Sequence, residues 1–224
     1  MSGSNPLHYN GGVVLSMAGD NCVSIASDHR FGMSQLTLAC DAQRIEPLHD
    51  RLCVGLAGLA TDCTTLAERF RYKHNMYRLR EKRVMRPRTF AAVASSTLYE
   101  KRFAPYFTEV VIAGLELEED GKRGTSGADA MTDAVYRPYV CSMDLLGALM
   151  VTDNFALAGT CAESLYGTCE TFWQPGLDPD ALFEVTAQSL LAALDRDCMS
   201  GWGAVVHVLT PEGITTRELE ARMD

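Results

Sequence analysis

Histidine and cysteine, two side chains that often carry chemistry, are present in this chain but lack the spacings that such chemistry needs. The five histidines show no HxxxH or HExxH pattern and no ligand spacing to cysteine or carboxylate, so no metal site is predicted. The eight cysteines contain no CxxC pair. We expect reduced, mostly buried thiols in an intracellular protein, and no cofactor. These residues are His8, His29, His49, His74 and His207, and Cys22, Cys40, Cys53, Cys63, Cys141, Cys161, Cys169 and Cys198.

Two turns that contain aspartate are the other candidates for chemistry. Asp28 ends an apolar run, and Asp197 precedes Ser200 in the turn after a long helical segment. One interpretation makes these groups catalytic. The structural interpretation, which we favour, pairs Asp28 with Arg30 or Arg44 at a turn and lets Asp197 and Ser200 satisfy backbone donors at a helix end.

A cluster of basic residues between positions 69 and 88 could bind nucleic acid or an acidic partner. The net charge of -9 and the lack of an interleaved aromatic platform argue against nucleic acid. Most of these basic residues lie outside the apolar stripe of a predicted helix. We therefore expect them to form a solvated helix face or an interface with acidic neighbours. The cluster consists of Arg69, Arg71, Lys73, Arg78, Arg80, Lys82, Arg83, Arg86 and Arg88.

The length of 224 residues suits one domain with a sizeable core. Hydrophobic residues make up 47% and charged residues 22%, as in ordinary globular proteins. No apolar run approaches the roughly 20 residues that cross a bilayer, so no membrane association is expected. The N-terminal residues lack the basic and apolar regions of a signal peptide, and secretion is not expected.

Apolar periodicity predicts groups of strands that alternate with pairs of helices. A hairpin around Gly19-Asp20-Asn21 comes first. A first helix begins at Thr61, Thr89 caps a second one after Pro87, and Asp178 caps the last one before Pro179. Further strands are predicted over 34–40, 43–46, 51–57, 106–115, 136–144, 155–159, 204–210 and 213–219, and further helices over 162–173 and 179–194.

Helices grouped in pairs argue against a doubly wound parallel sheet, in which helices alternate with strands. The order instead favours an α+β fold with two antiparallel sheets packed face to face and helix pairs outside. Between the strands that end at 115 and begin at 136, an acidic and then Gly-, Ala- and Ser-rich stretch predicts an exposed loop.

Four ordered motifs carry a resemblance to a known family. They are the hairpin that ends in Ser-Asp-His-Arg-Phe-Gly (27–32), the strand and glycine turn at 52–62, Gly-Thr-Cys-Ala-Glu (159–163), and the turn at 195–203. Together they resemble proteasome beta-type subunits, which belong to the N-terminal-nucleophile hydrolase superfamily. The resemblance implies a four-layer αββα sandwich. It also implies one domain over 1–224, with a short leader at 1–10 and a loop insertion at 117–132.

The same resemblance implies that the chain is not an enzyme. In active relatives a threonine freed at the N-terminus uses its own amine as a base, assisted by a lysine and an aspartate. Counting without gaps from Asp28, which matches the aspartate, the threonine position falls on Gly12 and the lysine position on Arg44. Glycine has no hydroxyl, and arginine does not release its proton near neutral pH. Thr160, Asp197 and Ser200 fall on the remaining positions of this degenerate centre.

An active N-terminal-nucleophile amidohydrolase or threonine-type peptidase is the alternative function. It would need Thr125, Thr160 or Thr168, each of which follows a glycine, or else Cys22 or Ser16. Each of these would have to become N-terminal, and the cut would sever the fold or remove the first strand.

The resemblance also implies partners. It implies alpha- and beta-type subunits in a hetero-oligomeric 28-subunit particle, and a role in ubiquitin- and ATP-dependent protein degradation in cytoplasm and nucleus. Asp144 falls where the family places an aspartate that helps to line the substrate pocket of a neighbouring, trypsin-like subunit. The alternative is that Asp144 only starts the turn Asp-Leu-Leu-Gly, since aspartate is common in turns.

Overall fold

Two antiparallel sheets stacked face to face form the centre of the molecule in the computed structural model, which describes residues 5–117 and 135–223. One core lies between the sheets, where residues such as Val14 and Ile25 meet Val111 and Val140. A second core joins the first sheet to one helix pair, and a third joins the other sheet to the remaining pair. The predicted four-layer α+β sandwich is therefore confirmed.

The elements follow one another in groups along the chain. After a 3-10 turn at Pro6–His8, the strands are β1 (Val13–Ala18), β2 (Val23–Asp28), β3 (Phe31–Met33), β4 (Leu36–Ala39), β5 (Ile45–His49), β6 (Leu52–Gly58), β7 (Thr108–Leu117), β8 (Tyr136–Met143), β9 (Leu149–Thr152), β10 (Phe155–Gly159), β11 (Ala204–Thr210) and β12 (Gly213–Leu219). The helices are α1 (Ala60–Glu81), α2 (Pro87–Tyr99), α3 (Ala162–Phe172) and α4 (Pro179–Leu194).

The sheet topology brings the ends of distant strands together. The first sheet has the order β10-β1-β2-β11-β12 and the second the order β5-β6-β7-β8-β9, while β3 and β4 form a separate ribbon. In the first sheet β1 lies between β2 and β10, so that Val14 faces Ser27 on one side and Ala158 on the other. The start of β1 is therefore surrounded by the end of β2, the end of β10 and the turn before β11.

Several predicted boundaries are wrong for local reasons. Thr89 does not cap α2, which begins at Pro87, because proline is favoured in a first helical turn. Leu117, predicted as the first residue of a loop, is the last residue of β7, and residues 118–132 of that loop lie outside the described residues. Strands β3 and β9 were not predicted as such. The Asp178 cap is confirmed, since its Oδ1 accepts from Ala181 N at 3.2 Å.

None of the helices in the described part of the chain has the length and hydropathy needed to cross a membrane. The apolar stripe of α1 contains Leu66, Phe70 and His74, all buried against the second sheet. Its basic residues lie mostly on the other side, where Arg71 Nε donates to Glu46 Oε1 at 2.8 Å. The predicted solvated basic face thus includes cations paired within the chain.

Two histidines stack where α1 meets the end of β5. The ring centroids of His49 and His74 are 5.5 Å apart, with 21° between the ring planes. His74 is 1% exposed, and its Nε2 has no hydrogen-bond partner. Burial is the main cause that lowers the pKa of both rings, and the Arg78 charge lowers the pKa of His74 further.

Acidification is expected to destabilise the protein through this pair. The unfolded chain takes up protons near the ordinary histidine pKa of about 6.5, whereas the folded pair stays neutral until a lower pH. The free energy of unfolding should therefore fall as the pH drops from about 7.5 to about 5.5. Replacing both residues with Gln should make the melting temperature fall less over this pH range than it does in the parent, measured by thermal unfolding at stepped pH.

His8→Gln is the control for this measurement, because His8 is exposed and its removal should leave the slope unchanged. A double variant of His49 and His74 that keeps the parent's pH dependence would contradict the assignment.

Candidate functional site

The residues of the degenerate centre meet at the start of β1. Asp28, at the end of β2, is fully buried, and Arg44, just before β5, is 8% exposed. Arg44 Nε donates to Asp28 Oδ1 at 2.9 Å, and a second guanidinium nitrogen donates to the carbonyl of Arg30. Of the two arginines expected to pair with Asp28, the structure selects Arg44.

Both oxygens of the Asp28 carboxylate accept hydrogen bonds. Besides Arg44, its Oδ1 accepts from Val13 N at 2.9 Å, and its Oδ2 accepts from Gly201 N at 3.2 Å. A buried carboxylate requires such partners because an unpaired charge inside a protein costs several kcal/mol, on the order of 3–5. Asp28 thus ties together the beginning of β1, the residue before β5 and the turn before β11.

Gly12 has no room for a side chain. Its φ of +112° lies in the region that residues with a Cβ rarely adopt. A Cβ built on Gly12 would overlap the guanidinium group of Arg44. Arginine at position 44 and glycine at position 12 therefore depend on each other sterically.

A second polar cluster adjoins the first. Thr160 Oγ1 and Ser200 Oγ both donate to Asp197 Oδ2, at 2.6 and 2.7 Å. Asp197 Oδ1 accepts from Met199 N at 3.0 Å, and Thr160 N donates to Gly12 O at 2.9 Å. Asp197 satisfies a backbone donor as expected. Ser200 does not, since its hydroxyl bonds the carboxylate instead.

Three of the alternative nucleophiles, Ser16, Cys22 and Thr168, have no catalytic partner among their contacts in the described part of the chain. Ser16 Oγ donates to Ser24 O at 2.8 Å inside the first sheet. Burial raises the pKa of Cys22 to about 12, which keeps the thiol protonated. Thr168 Oγ1 donates to Leu165 O at 2.9 Å within α3. Thr125 lies outside the described residues.

A cavity of about 550 Å³ opens beside Arg44. Its sides are β3, residues 41–46 and the first three turns of α1, with Leu56 also among the lining residues. Arg71 and Glu46 pair across it, at 2.8 Å between Nε and Oε1. Within the described residues no group of three or more His, Cys, Asp or Glu side chains could hold a metal ion.

Sequence reasoning missed Asn10, which joins two sides of this site. Asn10 Nδ2 donates to Gly32 O at 2.8 Å, and Asn10 Oδ1 accepts from Ala60 N at 2.9 Å. The local signal for such a partner is at the start of α1. The N-cap residue there is Leu59, whose side chain cannot accept a hydrogen bond from an amide of the first turn.

Asp144 lies away from this centre, in the turn between β8 and β9. Its Oδ1 accepts from Leu146 N at 3.0 Å and from Ala148 N at 2.7 Å. The side chain is exposed. Asp144 therefore has the predicted turn-forming role. Its other carboxylate oxygen, Oδ2, accepts no hydrogen bond from the described part of the chain.

Comparison with known proteins gives matches over nearly the whole chain. A family described as "Proteasome subunit" matches residues 8–125 and 123–209. Proteasome subunit beta type-3 of Picea mariana is 49% identical over 216 residues, which cover 96% of this chain and 98% of that protein. The Drosophila melanogaster protein of the same name is 47% identical over 218 residues, with 97% and 98% covered. Proteasome subunit beta type-3-A of Arabidopsis thaliana is 45% identical over 216 residues, with 96% and 98% covered.

The contact between Gly12 and Arg44 predicts a coupling between two substitutions. Gly12→Ala should lower the free energy of unfolding by about 2–4 kcal/mol, because it adds a clash with a buried cation to backbone strain. Arg44→Lys in the same chain should recover part of that loss, since a lysine stem is narrower than a guanidinium. Chemical denaturation of the full chain and its single and double variants would measure this coupling.

Gly176→Ala provides the matched control. Gly176 also has a positive φ, +81°, but nothing lies within 4 Å of its built Cβ. The control should cost only the strain of about 1–2 kcal/mol. Equal losses at positions 12 and 176, or no rescue by Arg44→Lys, would contradict the steric dependence.

Proposed function

We propose a function from one established premise: this chain belongs to the proteasome subunit family. The proposed function is that of a non-catalytic, structural β-type subunit of a 20S proteasome core particle. The observation that carries the proposal is the guanidinium of Arg44, which fills the space where a nucleophilic side chain at position 12 would begin.

The chemistry of the degenerate centre supports a lack of activity. A threonine-type nucleophile needs a hydroxyl beside a free amine and a neighbouring group whose proton can be shared. Gly12 lacks the hydroxyl. An arginine guanidinium does not share its proton as a lysine amine can, and the Nε of Arg44 donates to Asp28.

The hydroxyls nearby do not replace the missing group. Thr160 and Ser200 each donate to the same oxygen of Asp197. A carboxylate is a weak base for a hydroxyl, and neither residue is next to a chain terminus. These contacts support a structural role for the cluster, in which Asp197 holds the turn before β11 against the start of α3.

The assembly is proposed from the relatives. Those reported above are named as proteasome subunits beta type-3 or type-3-A. We propose that this chain joins other α- and β-type subunits in a 28-subunit particle, where it completes a ring, helps to wall the proteolytic chamber and supports neighbouring active sites. Its cellular role would be ubiquitin- and ATP-dependent protein degradation in cytoplasm and nucleus.

Purification of the tagged full-length chain tests this function. The chain is expected to migrate in a particle of about 700 kDa, the mass of about 28 chains similar to its own 24.5 kDa. Subunits with an N-terminal threonine should co-purify with it. In that particle, an active-site-directed epoxyketone should modify those subunits and leave this chain at its unmodified mass.

The labelled subunits serve as the internal control for the reagent. Two results would overturn the proposal. A chain that migrates alone is not a core subunit, and an adduct on this chain near Gly12 would indicate the alternative, an active N-terminal-nucleophile amidohydrolase.

Asp144 is proposed to influence cleavage by a neighbouring subunit. It is exposed at the end of β8, and only one of its oxygens is used by the turn. A carboxylate at the edge of a neighbour's pocket would favour basic substrate side chains by charge complementarity. Asparagine at this position can keep the same oxygen as acceptor for both amides, so the substitution removes charge while it preserves the turn.

Asp144→Asn should therefore reduce cleavage after basic residues by about two- to fivefold, because an exposed charge contributes up to about 1 kcal/mol. Cleavage after apolar and acidic residues should not change. The measurement is peptide hydrolysis by particles that contain the variant. Asp153→Asn, at another exposed carboxylate, is the control. Equal loss of all three activities would show that Asp144 supports folding or assembly instead.

A further inference from the structure

The residues immediately before Gly12 are bound on two sides by the rest of the fold. Ser34 N, in the turn of the β3–β4 ribbon, donates to Tyr9 O at 2.7 Å. The side chain of Asn10 reaches both Gly32 O in β3 and Ala60 N in α1, at 2.8 and 2.9 Å. Asn10 is only 6% exposed. This segment is therefore packed into the molecule, although the sequence predicts that residues 1–10 are a leader.

Helix α1 depends on this segment for its cap. The first amides of a helix have no partner within it and need an acceptor from elsewhere. The carbonyl of Leu59 accepts from the amides of Asp62 and Cys63 at 3.0 and 2.9 Å. The Leu59 side chain makes no cap hydrogen bond. Ala60 N is served instead by Asn10, a residue 50 positions earlier in the chain.

The two elements that Asn10 joins form two sides of the cavity beside Arg44. Phe31 of β3 and Ala60 of α1 both line it. Asn10 bonds Ala60 directly, and it bonds Gly32, the residue that follows Phe31. Each bond of Asn10 serves a group of a different element: its amide nitrogen serves a carbonyl in β3 and its oxygen serves an amide in α1. One side chain therefore bridges β3 and the beginning of α1.

We propose that residues 9–12 form a permanent strap across the degenerate centre, with Asn10 as its clamp. The strap caps α1, holds β3 beside it and places Gly12 against the guanidinium of Arg44, so that the position in front of Arg44 is occupied by this chain itself. A cut before Gly12 would remove the cap and leave Gly32 O and Ala60 N without their partner. This inference concerns contacts within the chain and does not depend on its incorporation into a particle.

Residue-resolved hydrogen–deuterium exchange on the full chain tests the strap. In the parent, the amides of Ala60 and Ser34 should both be protected. Asn10→Ala removes both bonds of the clamp and should speed exchange at Ala60 by about tenfold or more, because a buried donor is left without an acceptor. Ser34 should also exchange faster, since Tyr9 is no longer held next to it.

Asn10→Asp separates the two bonds. A carboxylate can still accept from Ala60 N, and its charge suits a helix N-terminus, but it cannot donate to Gly32 O. Exchange at Ala60 should stay slow while exchange at Ser34 rises. Asn5→Ala is the matched control, because Asn5 Oδ1 accepts only from the nearby Leu7 N, at 3.2 Å.

Cleavage by chymotrypsin after Tyr9 gives a second readout. It should be faster in Asn10→Ala than in the parent. Cleavage after Phe70, which is 0% exposed, should stay as slow as in the parent and shows that the variant is folded. Unchanged Ala60 exchange in Asn10→Ala would overturn the proposal. The proposal would also be overturned if Asn5→Ala speeds exchange at Ala60 and Ser34 as much as Asn10→Ala does.

Discussion

The buried ion pair between Asp28 and Arg44 is the interaction on which the arrangement of this protein's centre depends. Transfer of two charges out of water costs several kcal/mol per ion, and attraction offsets this only when the remaining hydrogen bonds are also made. Here they are made, because Asp28 also binds the amides of Val13 and Gly201, and Arg44 also binds the carbonyl of Arg30. Four separate segments of backbone are thereby held at one point. The buried charges at this position therefore have a structural role that does not depend on catalysis.

A second buried cation extends this constraint to the β3–β4 ribbon. Arg30 is fully buried, and its guanidinium donates to neutral oxygens: Thr37 Oγ1 at 3.0 Å, and the carbonyls of Met199 and Ser34 at 2.9 Å each. Carbonyl dipoles can satisfy a guanidinium because its five donors spread the charge over a plane. The ribbon, which has few buried apolar residues of its own, is fixed to the turn before β11 by polar contacts more than by packing.

Periodicity of apolar residues predicted most of the sandwich, because burial on one face is what periodicity records. It failed at β9, where Leu149, Met150 and Val151 are all exposed and show no alternation. It also could not find the clamp at Asn10, whose partner at the beginning of α1 is 50 residues away and leaves no local pattern. The pairing of Asp28 with a nearby arginine was predictable from charge, but the choice between two arginines required the geometry.

The steric relation of Gly12 and Arg44 has a consequence for the mutational paths open to this chain. A side chain introduced at position 12 first would meet the guanidinium, while a shorter cation introduced at position 44 first would leave unfilled volume beside a buried carboxylate. Each order passes through an intermediate that is less stable than the starting protein. A side chain at position 12 would thus require a second, simultaneous change at position 44, and packing alone disfavours a stepwise route to a nucleophile at position 12.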